Sequence, residues 1–168
     1  YGDYLRSGAI AAKSPICQAL MGFANAGGYI LGICNGFQIL TETKILPGTL
    51  MSNRELKYIC RDTELIIENN NTAFTHGYQK KQRITLPIAH HDGNYFADDE
   101  TLNYLYDNNS VALTYVNNPN GSVKNIAGIL SKNKRVLGMM PHPERLNDSQ
   151  LGGTDGALIF GALDTMFS

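Results

Sequence analysis

The sequence predicts an α/β fold, a mostly parallel sheet flanked by helices, and three observations carry that prediction. Segments whose apolar residues recur at helical spacing alternate with short apolar runs along the chain. The run Tyr29-Ile30-Leu31-Gly32-Ile33 shows no polar alternation, the pattern of a strand buried on both faces of a parallel sheet. That run stands between two segments that each read as a helix.

The first of these helices starts at Ser14-Pro15, an N-cap followed by proline in the first turn, and ends near Gly27-Gly28. Ile16, Ala19, Leu20 and Phe23 repeat at helical spacing and mark its expected buried face. After the strand at 29–33, Asn35 to Thr43 reads as the second helix, and Pro47-Gly48 breaks the chain. Strands are expected over 57–68 and 83–89, with Asn69-Asn70-Asn71 as a turn between them. Residues 98–106 open with acidic side chains that suit a helix N-terminus. Further strands are expected over 111–116, 125–130 and 135–140, separated by Asn117-Asn118-Pro119-Asn120-Gly121 and by Lys132-Asn133-Lys134. A last helix is expected from about Thr154 to Met166, with Leu158, Ile159, Ala162 and Leu163 on one face.

At 168 residues the chain fits one domain, residues 1–168, and its 43% hydrophobic and 17% charged content is that of an ordinary globular protein. Fourteen basic against fifteen acidic residues give a formal charge of -1, with no basic stripe for nucleic acid. Every apolar stretch is interrupted well short of the roughly 18 residues of a membrane span. Tyr1-Gly2-Asp3-Tyr4 has none of the features of a secretory signal, so a cytoplasmic location is expected. Cys17, Cys34 and Cys60 are odd in number and widely spaced, which suits free thiols.

The sharpest local feature is Gly32-Ile33-Cys34-Asn35-Gly36, a cysteine flanked by glycines two positions away on each side, at a strand-to-helix junction. This is the cysteine form of the nucleophile elbow, whose tight turn strains the backbone and calls for minimal side chains at both flanks. A sulfur at a helix start lies in the positive end of the dipole, which favours the thiolate. The Asn35 amide is then placed to donate to an oxyanion. The competing reading is a structural buried cysteine, and that reading is preferred for Cys17 and Cys60, which lack glycine flanks.

A cysteine nucleophile needs a base, and His142 has the best context of the four histidines. It lies in Pro141-His142-Pro143-Glu144, directly after an apolar strand. In extended chain residues two apart point the same way, so Glu144 can orient the imidazole while His142 moves protons between Cys34, leaving ammonia and water. A surface His and Glu on a loop is the alternative. His90-His91-Asp92 is a weak metal candidate, because adjacent residues face opposite sides and no further ligand stands at familiar spacing. No metal is assigned. A substrate-lining loop or a plain surface loop remain open for this stretch.

The elbow Gly32-Ile33-Cys34-Asn35-Gly36-Phe37-Gln38 with the later Pro141-His142-Pro143-Glu144 resembles the class I (triad) glutamine amidotransferases, which have a flavodoxin-like fold. Tyr1-Gly2-Asp3-Tyr4-Leu5-Arg6, Glu68-Asn69-Asn70, Pro87-Ile88-Ala89-His90, Asn118-Pro119-Asn120-Gly121-Ser122, Asn125-Ile126-Ala127-Gly128 and Gly153-Thr154-Asp155-Gly156 narrow the resemblance. Together they are similar to the glutaminase subunit of phosphoribosylformylglycinamidine synthase, over nearly the whole chain. The resemblance implies that Cys34 attacks the glutamine carboxamide, with His142 and Glu144 completing a triad. It implies glutamine contacts from Gly32, Asn35, Gly36, Gln38 and the loop Asp92, Gly93, Asn94 and Tyr95. Ammonia would pass to a large synthase subunit, with a small third subunit bridging the two. No cofactor is expected in this chain; ATP and magnesium belong to the partner.

Family members carry an N-terminal portion of strands and helices ending in a Pro-Gly-Gly-Phe-Ser-like turn that supplies a second oxyanion amide. No such portion precedes Tyr1. The resemblance therefore implies an N-terminally truncated domain, with a sequence that starts inside a longer gene product favoured over a shortened functional protein. Two other functions compete: a cysteine hydrolase of the same architecture acting on gamma-glutamyl substrates, and an inactive subunit that only binds the partner.

Overall fold

The computed structural model describes residues 10, 11 and 13–161. The Tyr1–Arg6 motif lies outside them. So do residues 162–166 of the expected last helix, of which 157–161 are helical.

Ser14 is extended and caps helix α1, Pro15–Asn25, with proline in its first turn as the sequence predicts. Strand β1 is Ile30–Ile33, helix α2 is Asn35–Glu42 and strand β2 is Thr49–Met51. Strands β3, Ile59–Ile67, and β4, Arg83–His90, form a long antiparallel pair. Strand β5, Asn94–Phe96, precedes helix α3, Asp99–Asp107, whose N-cap Asp98 accepts from the Thr101 amide. Strands β6, Val111–Tyr115, β7, Ile126–Leu130, and β8, Val136–Met139, complete the set.

The main sheet runs β1-β8-β7-β6-β3-β4, and β2 pairs with β5 in a small separate ribbon. The α/β class holds, but the parallel share is smaller than expected. Among the described strands only β1 and β8 pair in parallel; the other four pairings in the main sheet are antiparallel. The connections explain this. Residues 131–135 alone join β7 to β8, far fewer than the dozen or so residues a parallel crossover needs. Strands β6, β7 and β8 are buried on both faces. One face carries Leu65, Ile67, Leu86 and Ile88 with Phe74 and Ile159. The other packs Phe37, Leu40, Leu102 and Leu105 from α2 and α3 against Ile129 and Val136.

Two expectations about the first elements change. Strand β1, read as buried on both faces, is an edge strand among the described residues, and only its Gly32 is fully buried. In α1 the expected inward residues Ile16 and Phe23 are 76% and 54% exposed, and the inward face is Cys17, Leu20, Met21 and Ala24. Both sets follow the same i, i+3, i+4, i+7 spacing, so periodicity alone could not choose between them. No helix among the described residues is long and apolar enough to cross a membrane.

Candidate active site

Cys34 ends β1 and caps α2, with φ 51° and ψ -105°, a backbone conformation rare for any residue but glycine. Gly32 makes that turn possible. A methyl there would lie 2.4 Å from Leu40 Cδ1 and 2.9 and 3.0 Å from the carbonyl carbon and oxygen of Gly36. The same argument does not extend to Gly36, where a methyl meets no described atom within 4 Å. The expectation that crowding demands both glycines is thus corrected to Gly32 alone. The Asn35 amide stands in the first turn of α2, where helical N–H groups have no intrahelical acceptor.

The Cys34 amide donates to Met139 O at 2.8 Å, extending the β1–β8 ladder to the elbow cysteine. Its sulfur faces Ala89 O at 3.8 Å. On the other side of the site, the His142 amide donates to Pro87 O at 2.9 Å. Pro87 and Ala89 are two residues apart on β4, and carbonyls at that spacing point to the same edge about 7 Å apart. One strand edge therefore anchors both Cys34 and His142. Proline suits the position, since the edge carries no N–H to lose from the β3 ladder.

His142 Nδ1 lies 2.5 Å from Glu144 Oε1, the pairing expected from their spacing. Its Nε2 is buried with no hydrogen-bond partner among the described residues. Partial burial by itself pushes the Glu144 carboxyl up. The hydrogen bond from His142, its own backbone amide and the charges of His142 and Arg145 together overcome that and hold it below the ordinary carboxylate range. The carboxylate is ionised, so it fixes the imidazole with Nδ1 protonated and Nε2 turned inward. Nearby, burial first and the proximity of Cys34 second push the Tyr115 phenol above its usual range, against a lowering contact with Asn120.

The loop after β4 is tied to the elbow helix. Gln38, fully buried, donates from Nε2 to Asp92 O at 3.0 Å and accepts on Oε1 from Asn35 Nδ2 at 2.9 Å. Its amide joins helix to loop. Asp92 is buried, with Oδ1 accepting from Ser52 Oγ at 2.6 Å and lying 2.9 Å from His91 Nδ1. Tyr95 stacks on Phe37 with ring centroids 5.8 Å apart and donates to Pro47 O at 2.9 Å. Its side chain points into the core, so within the expected glutamine-contact loop the Tyr95 ring has a packing role. Asn94 Nδ2 reaches Ser52 O at 3.4 Å, and the Gly93 amide donates to Asn53 Oδ1 at 3.2 Å. Of the two other cysteines, Cys17 is buried as expected, whereas Cys60 is exposed on β3 and corrects the buried reading.

Ser52, Asn53, Asn120, Ser122 and Tyr115 border this site, and sequence reasoning gives none of them a functional role. The Asn118-Pro119-Asn120-Gly121-Ser122 run is visible there only as a turn and as part of the family resemblance. Its Asn120 is 1% exposed, a degree of burial that a turn motif in sequence does not reveal.

Residues 1–152 match the model of the CobB/CobQ-like glutamine amidotransferase domain. The chain belongs to that amidotransferase family. Phosphoribosylformylglycinamidine synthase subunit PurQ of Ruegeria sp. (strain TM1040) is 61% identical over 168 residues, covering 100% of this chain and 76% of that protein. PurQ of Lacticaseibacillus paracasei is 58% identical over 163 residues, 97% of this chain and 72% of its own length. Among solved structures, PurLQS from Thermotoga maritima superposes with a TM-score of 0.90 at 43% identity, covering 100% of this amidotransferase and 76% of that chain. A putative GMP synthase component from Thermoplasma acidophilum, at 14% identity and a TM-score of 0.50 over 83% of this chain and 61% of its own, shares the fold alone.

Proposed function

We infer that this amidotransferase is the glutaminase subunit of phosphoribosylformylglycinamidine synthase, working in purine biosynthesis as a single domain. The observation that carries this reading is the convergence of a strained Cys34 at the α2 N-terminus and the His142–Glu144 pair on one edge of β4. The identity to PurQ proteins of two distant bacterial genera supports the choice of synthase.

In this reading His142 Nε2 takes the Cys34 thiol proton, the thiolate attacks the carboxamide carbon of glutamine, and the oxyanion that forms takes a hydrogen bond from the Asn35 amide. His142 Nε2 gives a proton to the departing nitrogen, so the C–N bond breaks, ammonia leaves and a glutamyl thioester remains. Nε2 then takes a proton from water as the water attacks the thioester, which frees glutamate and restores the thiol. Glu144 stabilises the charged imidazolium in both halves. The wall of the pocket is the loop 92–94, held to the elbow by Gln38. Ammonia passes to a large synthase subunit, and the PurLQS assembly to which this chain is similar also supports a small third subunit. ATP and magnesium bind the synthase partner in this reading, and three free thiols suit the reducing cytoplasm.

A glutamine-derived electrophile tests the proposal. Mass spectrometry should find one adduct on Cys34, and ammonia release from glutamine should vanish in Cys34→Ser. Labelling that persists undiminished in Cys34→Ser, or turnover of gamma-glutamyl peptides in preference to glutamine, would overturn it.

A further inference from the structure

Beneath the loop 92–95 lies a buried polar set that the triad does not use: Asn53, His90, Asn120 and Ser122 are each between 0% and 2% exposed. The orientation of both side-chain amides in it can be assigned. Asn53 Nδ2 donates to Lys57 O at 2.8 Å and to His90 O at 2.9 Å, so its Oδ1 must be the acceptor. That oxygen lies 3.0 Å from His90 Nδ1, which therefore carries the proton, and it also accepts the Gly93 amide. Asn120 Oδ1 accepts from the Ser122 amide at 3.0 Å, so its Nδ2 is the donor, and it donates to Gly93 O at 2.8 Å. The same Nδ2 stands 3.5 Å from His90 Nε2, which as the unprotonated nitrogen of a neutral ring is an acceptor.

Both polar groups of the Gly93 backbone are thus held from below, the N–H by Asn53 and the C=O by Asn120. The His90 ring fills the space between. A methyl on Gly93 would lie 2.4 Å from His90 Nδ1 and 2.5 Å from Cε1, so the chain rests directly on the imidazole. Ser122 Oγ extends the support one step further by accepting the Tyr95 amide at 3.0 Å. Buried polar groups are stabilising only when all are paired, so removing one leaves its partners unsatisfied and frees the segment they hold.

We propose that Asn53, His90, Asn120 and Ser122 are positioning residues that set the height of the glutamine-binding loop over Cys34. This assigns a function to the Asn118–Ser122 turn, whose own ring of bonds, Asn118 Oδ1 to the amides of Asn120 and Gly121, fixes Asn120 in turn. The inference rests on the glutaminase reading above and adds the residues that shape its pocket without touching the reacting atoms.

The test compares Asn120→Ala and Ser122→Ala with the unmodified full chain, each assembled with its synthase partner. Expected is a rise in the glutamine KM of about tenfold for Asn120→Ala, and a smaller one for Ser122→Ala. In both, kcat at saturating glutamine stays within about threefold, and the rate at which iodoacetamide alkylates the Cys34 peptide stays within about twofold. Iodoacetamide reports the sulfur without needing the loop, so a general collapse of the site would move it and a displaced loop would not. An unchanged KM in the variants overturns the inference, as does an alkylation rate that falls in step with kcat/KM. Should Asn120→Ala fail to fold, Ser122→Ala, which removes a single hydroxyl, decides alone. If the unmodified complex releases no ammonia from glutamine, the glutaminase reading itself fails; if it does and KM is unmoved, only the positioning role is lost.

Discussion

Replacing Gly32 with alanine puts a methyl 2.4 Å from Leu40 Cδ1 and 2.9 Å from the Gly36 carbonyl carbon. The leucine tip can rotate away, but the Gly36 backbone is the first turn of α2 and cannot retreat without shifting the helix that Cys34 caps. Overpacking of this kind costs about 1–3 kcal/mol. In a chain of this size about 2 kcal/mol corresponds to a fall in Tm of roughly 4–8 °C. Gly36→Ala is the matched control. Its methyl meets open space among the described residues, and alanine is a better helix former by up to about 1 kcal/mol, so stability should hold or rise slightly. Urea unfolding of the two variants should therefore separate them by about 1–4 kcal/mol. Combining Gly32→Ala with Leu40→Ala should recover little, because the backbone clash persists and a cavity is added. Equal losses in Gly32→Ala and Gly36→Ala, or full recovery in the double variant, would refute the account of the elbow.

Glu144→Gln keeps the shape of the pair but not its charge, and should lower kcat by about 10²-fold with little change in the glutamine KM. The Glu144 carboxyl titrates lower in the native protein than in the unfolded chain, whose ordinary value is 4.5. Its contribution to stability is therefore complete above that value and disappears as the pH falls through the lower native one. Unfolding measured below pH 5 should accordingly depend less on pH in Glu144→Gln. Tyr95→Phe removes the bond to Pro47 O while keeping the stack on Phe37, so it should lose about 1 kcal/mol of stability and leave the glutamine KM within twofold. A tenfold rise would restore Tyr95 as a direct contact. Thiol reagents should modify exposed Cys60 as well as Cys34 in the native chain, with loss of turnover following the Cys34 peptide and not the Cys60 one, and should reach buried Cys17 only on unfolding.

The geometry of the candidate site was legible because its constraints are local. Gly32 and Cys34 are two residues apart, and so are His142 and Glu144, so an elbow and an oriented imidazole can be read from spacing alone. The loop support was not legible, because Asn53, His90 and Asn120 are joined by pairings 30 and 37 residues apart. The three-residue strands β2 and β5 are too short to show alternation, and each exists because the other is beside it. Strand orientation could have been inferred from the short link at 131–135 but not from the apolar character of the strands, which both kinds of sheet share. In α1 apolar residues on nearly all sides left the inward face to be settled by packing.

Strand β4 is the last strand of the main sheet, and a terminal strand offers unpaired backbone to any passing chain. Here the segment carrying His142 occupies that rim: Pro87 has no N–H to offer, and its carbonyl is already taken by His142. The segment that carries His142 covers this edge at Pro87, and Asp155 covers it at Thr85, whose amide donates to Asp155 Oδ2 at 2.7 Å. Loosening that cover would then forfeit solubility along with turnover, which ties the persistence of the fold in a crowded cell to the order of its reaction centre.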